Sequence, residues 1–432
     1  MVIGGGGREH AMAWRVARDA DVDLAYCVPG NAGIAGDVSC LSGNILDPKE
    51  MAAMAEFLGV DCTVVGPEAP LVAGVADEFE ARGLPVVGPS RAAANLEGSK
   101  VFAKEFLTEN CIPTADYVVL DDERDIEAKG GRLGYPVALK ADGLAAGKGV
   151  VIVRDEAEAR DCALRMLSGD LVGDAGRRIV VERFLEGDEV SFMVLSDGRA
   201  FAVLPTTEDH KQAFDGDTGP NTGGMGAVCD DSIISAAMRA RIIDHIVEPT
   251  LRGMRRRGTP FRGFLYCGLM ITEDGPHVLE YNVRLGDPET QPLLYRLDGD
   301  FAGLLESAAR GSLDASLVRV GGRSTACVVM AAPGYPGSYP KGLPISGLGA
   351  ASRAGAKVFH AGTKLSGGAP VTAGGRVLGV TASGNDLGRA VANAYQAVSK
   401  IDFEGVHYRT DIGGRRHGRS ADPGRQAGIG CE

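Results

Sequence analysis

The chain has 432 residues, of which 44% are hydrophobic and 24% charged, and its formal net charge is −12. This length exceeds one compact core and favours about three domains, while the acidic balance argues against a nucleic-acid or acidic-membrane binder. No segment approaches the ~20 apolar residues of a membrane span, and the nine cysteines include no C-x-x-C pair, so a reduced, cytoplasmic protein is predicted.

Residues 1–97 alternate short apolar strands with helical stretches, which predicts a doubly wound parallel sheet. Gly-rich turns follow three strands, at Gly4–Gly7, Pro29–Gly33 and Gly66–Pro70. Ligands of open α/β sheets bind at this carboxyl edge, so one phosphate is expected near Arg8. The predicted elements are Val2–Ile3, Glu9–Arg18, Leu24–Val28, Lys49–Leu58, Cys62–Val65, Val72–Ala81 and Val86–Val87.

A new helix is predicted from Lys100 through Leu107, with Ser99 as its cap. The tract 114–183 then predicts a small α+β lobe with its own sheet. Its expected strands are Tyr117–Leu120, Val137–Lys140, Val150–Val153 and Ile179–Glu182.

The segment between Lys140 and Val150 joins two of these strands and is rich in glycine, with Lys148 near its end. Glycine allows backbone N–H groups to approach anionic oxygens closely, and the two lysines supply charge for phosphates. Gly143 and Gly147 are separated by three residues, and Gly149 stands where a Walker A loop needs Ser or Thr. The segment therefore predicts a flap over a nucleotide, and a plain hairpin is the alternative.

Two weaker patterns follow along the chain. The strand ending at Glu182 could present backbone groups to an adenine, and Glu189 could accept from ribose hydroxyls. Residues 217–226 are Gly-rich and predict a loop whose donors receive a phosphate or carboxylate, preceded by Asp209, His210 and Lys211. His210 is given no role, since a lone histidine is more often structural.

The segment from Glu280 to Glu289 reads Glu-Tyr-Asn-Val-Arg-Leu-Gly-Asp-Pro-Glu after the apolar pair Val278-Leu279. On a strand, alternate side chains share a face, so Glu280, Asn282 and Arg284 are expected to point the same way. Carboxylate and amide oxygens suit Mg²⁺ that phosphates also hold, and arginine suits a phosphate or carboxylate. An exposed polar strand face is the alternative.

The rest of the chain predicts one long helix over 232–256 and a last β-rich unit over 321–410. That unit has strands near Cys327–Met330, Lys357–His360 and Val377–Thr381 and a helix at Leu387–Val398. The Gly/Arg-rich tract from Arg415 has almost nothing to bury and is predicted to be disordered.

Taken together, these motifs resemble those of the phosphoribosylamine–glycine ligase (glycinamide ribonucleotide synthetase) family of ATP-grasp enzymes. The resemblance covers about residues 2–413. The motifs that carry it are Gly-Gly-Arg-Glu-His (6–10), Pro-Gly-Asn-Ala-Gly (29–33), Val-Gly-Pro-Glu-Ala-Pro-Leu (65–71), Leu-Glu-Gly-Ser-Lys (96–100), the 140–150 segment, Gly-Pro-Asn-Thr-Gly-Gly-Met-Gly (219–226) and Gly-Asp-Pro-Glu-Thr-Gln (286–291).

The resemblance implies an α/β and α+β multidomain fold. Its parts would be an N-terminal Rossmann-like domain (1–97), an ATP-grasp core (98–113 plus 184–320), a mobile lid lobe (114–183), a C-terminal β-rich domain (321–414) and the tail (415–432).

It also implies that ATP, glycine and 5-phosphoribosylamine give ADP, phosphate and glycinamide ribonucleotide through glycyl phosphate. Since the substrate carboxylate is itself the nucleophile, catalysis would be positioning and charge neutralisation. A cytoplasmic monomer is expected, with transient contact to neighbouring purine-pathway enzymes and neither nucleic-acid nor membrane partners.

Site residues carried over from the family fall into four groups. Those implied as catalytic are Arg284, Lys140 and Asp217. Those implied for ATP are Lys104, Lys140, Gly143, Gly147, Lys148, Gly149, Glu182, Leu185 and Glu189. Those implied for substrates are Gly7, Arg8, Asn31, Glu68, Asn221, Thr222, Gly223, Gly224, Met225 and Arg284. Those implied for Mg²⁺ or Mn²⁺ are Glu280 and Asn282.

The chain departs from the family pattern at three places. Its first strand begins almost at Met1, so a shortened start is expected. Gly5 replaces an Asn common in that turn. The strand before Glu280 carries Met270 and neighbours where related enzymes often place a carboxylate, so Glu280 and Asn282 would be the protein's metal ligands.

Three alternatives remain at this stage. Another ATP-grasp ligase or carboxylase would share the phosphate chemistry with a different acceptor. A nicotinamide oxidoreductase is suggested by the N-terminal glycines, but Glu9 breaks its G-x-G-x-x-G pattern. A non-catalytic nucleotide-binding protein is disfavoured because Lys140, Lys148 and Glu280 are all present.

Overall fold

The computed structural model describes residues 1–144 and 149–414. The flap positions Gly147 and Lys148 and the tail from Arg415 lie outside these residues, so the predictions made for them stay predictions.

Strands and helices alternate in the first part of the chain, and the later strands pair mostly antiparallel. The strands are β1 Val2–Gly4, β2 Tyr26–Pro29, β3 Ser39–Cys40, β4 Thr63–Val65, β5 Val86–Val87, β6 Tyr117–Leu120, β7 Val137–Ala141, β8 Val150–Val153, β9 Ile179–Arg183, β10 Asp188–Asp197, β11 Phe201–Val203, β12 Thr207–Asp209, β13 Gln212–Phe214, β14 Thr218–Asn221, β15 Gly226–Cys229, β16 Arg262–Thr272, β17 Gly275–Asn282, β18 Ser324–Ala331, β19 Lys357–His360, β20 Thr363–Ser366, β21 Ala369–Thr372 and β22 Arg376–Gly384.

The helices are α1 Gly7–Val16, α2 Pro48–Leu58, α3 Glu68–Ala73, α4 Val75–Ala81, α5 Arg91–Gly98, α6 Lys100–Glu109, α7 Glu123–Lys129, α8 Glu156–Leu167, α9 Ala236–Ile242, α10 Glu248–Arg256, α11 Thr290–Arg296, α12 Phe301–Ala309, α13 Leu348–Arg353 and α14 Leu387–Val398. Short 3₁₀ turns occur at Ile34–Gly36, Gly130–Leu133, Gly173–Arg177 and Ala315–Leu317, and a π-helical turn joins α9 to α10 at Ile243–Val247.

The first five strands form a parallel sheet in the order β3-β2-β1-β4-β5. Its buried strand residues pack against helices, as the alternation of apolar and helical segments predicts. Three strands end next to one another at Gly4, Pro29 and Val65. The Gly-rich turns therefore meet at one edge, which confirms the predicted parallel sheet.

Two further sheets and the two-stranded sheets β13-β14 and β20-β21 complete the framework. Strands β6-β9-β7-β8 make a small antiparallel sheet under α7 and α8, with Leu139, Met166 and Val181 in its own buried core. The larger sheet runs β17-β16-β10-β12-β15-β18-β22-β19, with β11 paired to β10. Strand β15 pairs with β18, so the boundary predicted at residue 320 crosses a continuous sheet. The domain division itself stays a prediction.

Local signals explain where several elements begin. The Ser99 hydroxyl accepts from the Phe102 amide at 3.1 Å and starts α6, and Asp386 caps α14 in the same way through the Arg389 amide at 2.7 Å. Side-chain caps satisfy amides that lack a partner within the helix. Both helix starts match their predictions.

Three predictions of local structure were wrong. The single helix over 232–256 begins only at Ala236 and is interrupted by the π-helical turn before Pro249, because proline cannot donate to the preceding helical turn. The Val72–Ala81 helix is broken at Gly74, where φ is +93°. The 217–226 loop contains β14, which pairs with β13 across a turn with positive φ at Gly216 and Asp217; such turns join hairpin strands.

Among the helices of the described residues, none is both long enough and apolar enough to cross a membrane.

Candidate active site

The end of β17 and the two residues after it carry the three side chains that the alternation rule predicts to lie together. Asn282 ends the strand, and the Arg284 Nη2 group donates to the Asn282 Oδ1 atom at 2.8 Å. Arg284 is also held by Glu97 at 2.8 Å and by Glu68 at 3.4 Å. Although burial opposes its charge, Glu97 and Glu68 raise the pKa of Arg284 above its ordinary value. Arg284 is therefore a fixed cation beside the proposed metal ligand.

Glu280 is half-buried and strongly ionised. Burial alone would raise its pKa, but Lys211, Lys100, Lys140 and Arg284 together lower the pKa of Glu280 to about 2. Glu280 supplies an ionised carboxylate and Asn282 an amide oxygen, and this pair of hard oxygen donors fits a divalent cation such as Mg²⁺.

Lys211 connects Glu280 to the predicted ribose contact. Its ammonium pairs closely with the Glu189 carboxylate and lies 3.7 Å from Glu280 Oε1. Burial would lower the pKa of Lys211, but Glu189, Asp209 and Glu280 raise it well above its ordinary value. The sequence identified this cation without a role, because a lysine two residues after a strand has no distinctive pattern.

Asp209 lies fully buried behind Lys211. Burial raises its pKa well above the ordinary value, and the nearby Glu289 and Glu189 add to this effect against the attraction of Lys211. Among the described residues the Oδ1 atom of Asp209 has no hydrogen-bond partner. The cluster therefore combines one lysine with several carboxyl groups, among which the pKa of Glu280 is lowered and the pKa of Asp209 is raised.

Two lysines from different elements share a second carboxylate. Lys140 on β7 contacts Glu182 at 3.0 Å and the Leu279 carbonyl at 2.9 Å. Lys104 on α6 lies 3.3 Å from the same carboxylate and donates to Thr114 at 2.7 Å. Burial and the neighbouring Lys140 lower the pKa of Lys104 to about 8, although Glu182 opposes this. The side chain of Glu182 thus holds both predicted phosphate lysines.

The described part of the flap packs against the small sheet. The Gly143 amide donates to the Ala175 carbonyl at 3.2 Å, and the Gly149 carbonyl accepts from the Ala141 amide at 2.8 Å. A Cβ atom on Gly143 would lie 3.0 Å from Ala175 Cα, so a larger residue there would crowd Ala175. Leu185 lies half-buried in the connection between β9 and β10.

The glycine-rich segment after β14 is anchored to Lys211. Both the amide and the hydroxyl of Thr222 donate to the Lys211 carbonyl at 2.8 Å, and the Met225 amide donates to the His210 carbonyl at 2.8 Å. The Gly223 carbonyl accepts from Arg376, which also contacts Asp287. Asn221 lies at the end of β14, opposite Gln212. Residues 222–225 are therefore adjacent in space to Lys211 and the 287–291 turn.

Gly224 has φ of +110°, and a Cβ atom there would lie 2.4 Å from Pro288 Cδ. Both the backbone conformation and the contact require glycine.

Asp217 contacts a residue that the motifs did not include. It lies in the β13–β14 turn with φ of +54° and pairs with Arg409 at 2.9 Å. Of the other two residues of the implied catalytic set, Lys140 contacts Glu182 and Arg284 contacts Glu97. Its catalytic assignment stays a prediction.

The N-terminal turns pack closely against later parts of the chain and also contribute polar groups. The Asn31 side chain donates to the Gly5 and His360 carbonyls at 2.9 and 2.8 Å and accepts from the amide of Gly33 at 2.9 Å. Gly7 begins α1, and a Cβ atom there would lie 2.6 Å from the Gln291 amide nitrogen. Both residues thus hold the carboxyl edge against later parts of the chain.

The amide at the start of α1 is already occupied. The Gly6 amide donates to Glu9 Oε2 at 2.6 Å, and Arg8 pairs with the other oxygen of the same carboxylate at 2.6 Å. A pyrophosphate at this helix end would meet the negative charge of Glu9, which argues against the nicotinamide alternative.

Several of the predicted residues lie together around Arg284. Arg284 contacts Asn282 and Glu68 directly, and it also contacts Glu97, a motif residue to which the sequence assigned no role. Burial raises the pKa of Glu97, whereas Arg284 lowers it. The signal for Glu97 was weak because a glutamate near a helix end looks like a solvent-facing one.

Comparisons with known proteins point to one family along nearly the whole chain. Models of the phosphoribosylglycinamide synthetase N domain, ATP-grasp (A) domain and C domain match residues 1–97, 98–290 and 325–415. The phosphoribosylamine–glycine ligases of Pseudomonas syringae pv. tomato and Vibrio cholerae are each 47% identical over 418 residues, covering 96% of this chain and 97% of theirs.

Solved structures extend the comparison to the fold. The Thermotoga maritima phosphoribosylamine–glycine ligase is 34% identical with a TM-score of 0.83, covering 95% of this chain and 99% of that one. The biotin carboxylase domain of Hydrogenobacter thermophilus 2-oxoglutarate carboxylase has a TM-score of 0.70 at 17% identity, covering 94% and 91%. This second likeness concerns the fold alone.

Proposed function

This chain belongs to the phosphoribosylglycinamide synthetase family, and from that premise we propose that it joins glycine to 5-phosphoribosylamine at the expense of ATP. The observation that carries the proposal is the cluster in which Arg284, Asn282, Glu280 and Lys211 meet between nucleotide-side lysines and a glycine-rich segment. The enzyme is thus an ATP-dependent carbon–nitrogen ligase of purine biosynthesis.

The reaction has two displacement steps. A glycine carboxylate oxygen attacks the γ-phosphorus of ATP, so the bond to the β–γ bridging oxygen breaks and ADP and glycyl phosphate form. The phosphoribosylamine nitrogen then attacks the glycyl carbon, phosphate leaves with its bonding electron pair, and the nitrogen loses one proton. Neither step requires an activated protein nucleophile, so the side chains act through position and charge.

The nucleotide side is formed by Lys104, Lys140 and the strand that ends at Glu182. The two ammonium groups would face the ATP phosphates while Glu182 holds them together. Backbone groups near Glu182 and Leu185 would receive the adenine, and Glu189 the ribose. Gly143, Gly147, Lys148 and Gly149 complete the proposed phosphate contacts, with Gly147 and Lys148 lying outside the described residues.

ATP-grasp enzymes use ATP with a divalent metal ion, and we propose Mg²⁺ or Mn²⁺ at Glu280 and Asn282. A bound ion would neutralise phosphate charge. Because its pKa is about 2, Glu280 remains an ionised oxygen donor throughout the neutral range. Arg284 orients the Asn282 amide, since its donation to Oδ1 fixes which face the amide oxygen presents.

The acceptor side of the proposed site comprises two groups of residues. Glu68 approaches from the N-terminal sheet, where Gly7, Arg8 and Asn31 would hold phosphoribosylamine. Residues 221–225 approach from the larger sheet and would hold glycine or its phosphate through Asn221, Thr222, Gly223, Gly224 and Met225. Arg284 would bind the glycine carboxylate and the acyl phosphate, with Asp217 supporting this side.

We also propose the domain division set out above, with 114–183 as a lobe that closes over ATP. Its contacts with the rest include polar ones at the site, such as the Lys100 amide to the Asp142 carbonyl at 3.0 Å and Lys140 to the Leu279 carbonyl at 2.9 Å. Closure would exclude water from the acyl phosphate. Small-molecule substrates suffice for this chemistry, and we propose a cytoplasmic monomer that contacts neighbouring pathway enzymes only transiently.

The decisive experiment measures ADP release from purified protein with ATP and Mg²⁺, adding glycine and freshly generated phosphoribosylamine separately and together. Release that requires both supports the ligase. Release with a different carboxylate assigns the chain to another ATP-grasp reaction, and silence in every combination rejects the proposal.

A further inference from the structure

We propose that Arg409 is a positioning residue, which acts through the C-terminal segment 407–413 to fix the β13–β14 hairpin and thereby the glycine-rich segment on the acceptor side of the site. The inference rests on the proposed function, because residues 221–225 are there assigned to the substrates.

Arg409 joins two parts of the chain that are almost 200 positions apart. Its side chain is 1% exposed. Its Nη1 group donates to Asp217 Oδ1 at 2.9 Å and to the Gln212 carbonyl at 3.1 Å, which are at the turn and at the start of the hairpin. Its Nε and Nη2 groups donate to the two oxygens of Asp411 at 2.7 Å each. One guanidinium group therefore uses a fork of donors to hold the hairpin and its own segment together.

The neighbours of Arg409 make the same connection. The His407 Nε2 group donates to the Ala213 carbonyl at 2.8 Å. The Thr410 amide donates to Asp215 Oδ1 at 2.8 Å, and the Gly216 amide donates to Asp411 Oδ2 at 2.8 Å. Contacts thus run along the hairpin from β13 through its turn.

The segment is itself anchored on the larger sheet. The Tyr395 hydroxyl, on α14, donates to the Arg409 carbonyl at 2.8 Å and accepts from the Ile412 amide at 3.0 Å. Helix α14 packs on β18 and β22 through buried residues such as Val391, Ala394 and Val398. The support reaching the hairpin is therefore a folded helix and not a free chain end.

The hairpin needs support of this kind. Its two strands form a separate two-stranded sheet, residues 214–220 are exposed, and an isolated pair of strands is only marginally stable in water. The turn also contains a non-glycine residue, Asp217, with φ of +54°, a conformation that surrounding contacts must maintain.

The hairpin leads directly to the reacting groups. Gln212 follows Lys211, whose ammonium approaches Glu280, and Asn221 precedes Thr222, whose hydroxyl donates to the Lys211 carbonyl. A shift of the hairpin would displace both Lys211 and the glycine-rich segment. It would leave Lys104, Lys140 and Glu182 in place, because these residues belong to α6 and the small sheet.

The test compares Arg409→Lys with the unchanged protein by two independent measurements. Lysine retains the charge but cannot bridge Asp217 and Asp411 together. We expect amide hydrogen exchange across residues 212–221 to accelerate about ten-fold or more. We also expect kcat/KM for glycine and phosphoribosylamine to fall about 100-fold, while the KM for ATP stays within about two-fold.

A matched control is Arg15→Lys, which alters another buried arginine that contacts a carboxylate, Asp19, and the Gly299 carbonyl. Arg15→Lys should leave amide hydrogen exchange across residues 212–221 unchanged. It should also not lower kcat/KM for glycine and phosphoribosylamine selectively while the KM for ATP stays constant. If Arg409→Lys does not fold, Asp411→Asn, which keeps the size of a half-buried group, carries the same comparison with a smaller effect.

Unchanged exchange with unchanged kinetics overturns the proposal. Faster amide exchange with no selective fall in kcat/KM for glycine and phosphoribosylamine also overturns it, since the segment would then have a structural role only. Equal losses of kinetic efficiency with ATP and with the acceptor substrates are one such case and would indicate general disruption. Exchange is measured without substrates, so an inactive unchanged protein would reject the proposed function while the link between Arg409 and the hairpin remained testable.

Discussion

Charged side chains in the site neutralise one another in pairs and triplets. Lys104 and Lys140 share Glu182, and Lys211 lies between Glu189 and Glu280. Buried charges need partners because their hydration is lost. A nucleotide and its metal ion must therefore replace some of these ion-pair contacts when they bind. Binding then changes the charge around each side chain, so its change of protonation state can be measured.

Changing Glu280 to glutamine tests the metal assignment at this scale. The variant keeps the size of the side chain but removes the ionised oxygen, so we expect Mn²⁺ binding with ADP to weaken about ten-fold or more. Electron paramagnetic resonance of bound Mn²⁺ measures this without turnover. Glu273→Gln, at the exposed turn before β17, is the matched control, and equal Mn²⁺ affinity in the two variants would refute the assignment.

We expect Lys104 to take up a proton when nucleotide binds. Burial lowers its pKa to about 8, and a nearby phosphate would raise that pKa again, so binding at pH 8.5 should take up roughly half to three-quarters of a proton. The sign follows because free Lys104 is mostly neutral at this pH and nucleotide-bound Lys104 is charged. Uptake should disappear near pH 6.5, where the lysine is already charged in both states.

Titration calorimetry in buffers of different ionisation enthalpy measures this uptake. The Lys104→Met variant should lose it, and Lys49→Met, at an exposed position on α2, should retain it. Retention of the full uptake in Lys104→Met would assign the proton to another group.

Individual elements were predictable where one local signal dominated. The apolar runs at Tyr117–Leu120 and Val150–Val153 and the capped helix Leu387–Val398 match their predictions residue for residue. The β13–β14 hairpin was not predicted, because β13 has only three residues, β14 is polar and mostly exposed, and both depend on contacts with residues 407–413. A signal so distant in sequence cannot be read from a local window.

The same reasoning applies to the candidate site. Glu280 and Asn282 were predictable because alternation along β17 places them on one face, whereas Arg284 lies two residues beyond the end of this strand and contacts Asn282 there. Glu97 and Arg409 required the tertiary fold, since each reaches its partner from a remote element. Local pattern therefore predicts residues that share an element, and it fails for residues that support them from outside.

Gly224→Ala tests whether the glycine-rich segment must approach the 287–291 turn closely. An added Cβ atom would lie 2.4 Å from Pro288 and require φ of +110°. Such crowding in a packed site typically costs about 1–3 kcal/mol and displaces the backbone. We expect kcat/KM for glycine to fall roughly 10- to 100-fold while ATP binding is retained.

Gly59→Ala provides the comparison, since Gly59 also has positive φ, +63°, but open space around its Cβ position. Steady-state kinetics with each substrate varied in turn distinguishes the two variants. Similar losses in both would show that backbone strain alone, and not the approach to Pro288, explains the effect.

At the scale of the whole molecule, the N-terminal sheet is joined to the last strands through two histidines. The His360 amide on β19 donates to His10 Nδ1 at 2.7 Å, and the opposite nitrogen of His10 contacts Asp37 at 2.9 Å. Lys357 also contacts Asp37 at 2.6 Å. Since His10 Nδ1 accepts a hydrogen bond, this contact requires the neutral imidazole.

This junction should weaken on acidification. Burial, with the nearby His10 and Lys357, lowers the pKa of His360 to about 4, and burial also lowers the pKa of His10. An unfolded histidine titrates near 6.5. Between about pH 6.5 and pH 4 the unfolded chain therefore binds more protons, so the free energy of unfolding falls as pH falls, by up to about 3 kcal/mol from His360.

Trp14 reports on this region, because it is the one tryptophan of the chain and its ring lies 5.5 Å from that of Phe359 on β19. We expect the urea midpoint followed by tryptophan fluorescence to decrease from pH 6.5 to pH 4.5. The decrease should be smaller in His360→Asn and unchanged in His245→Asn, which removes an exposed imidazole. A midpoint that stays constant over this range, or falls equally in His360→Asn, would show that the two histidines do not couple the sheets to pH. The sheets would then be held mainly by the apolar packing around Met12 and Phe359.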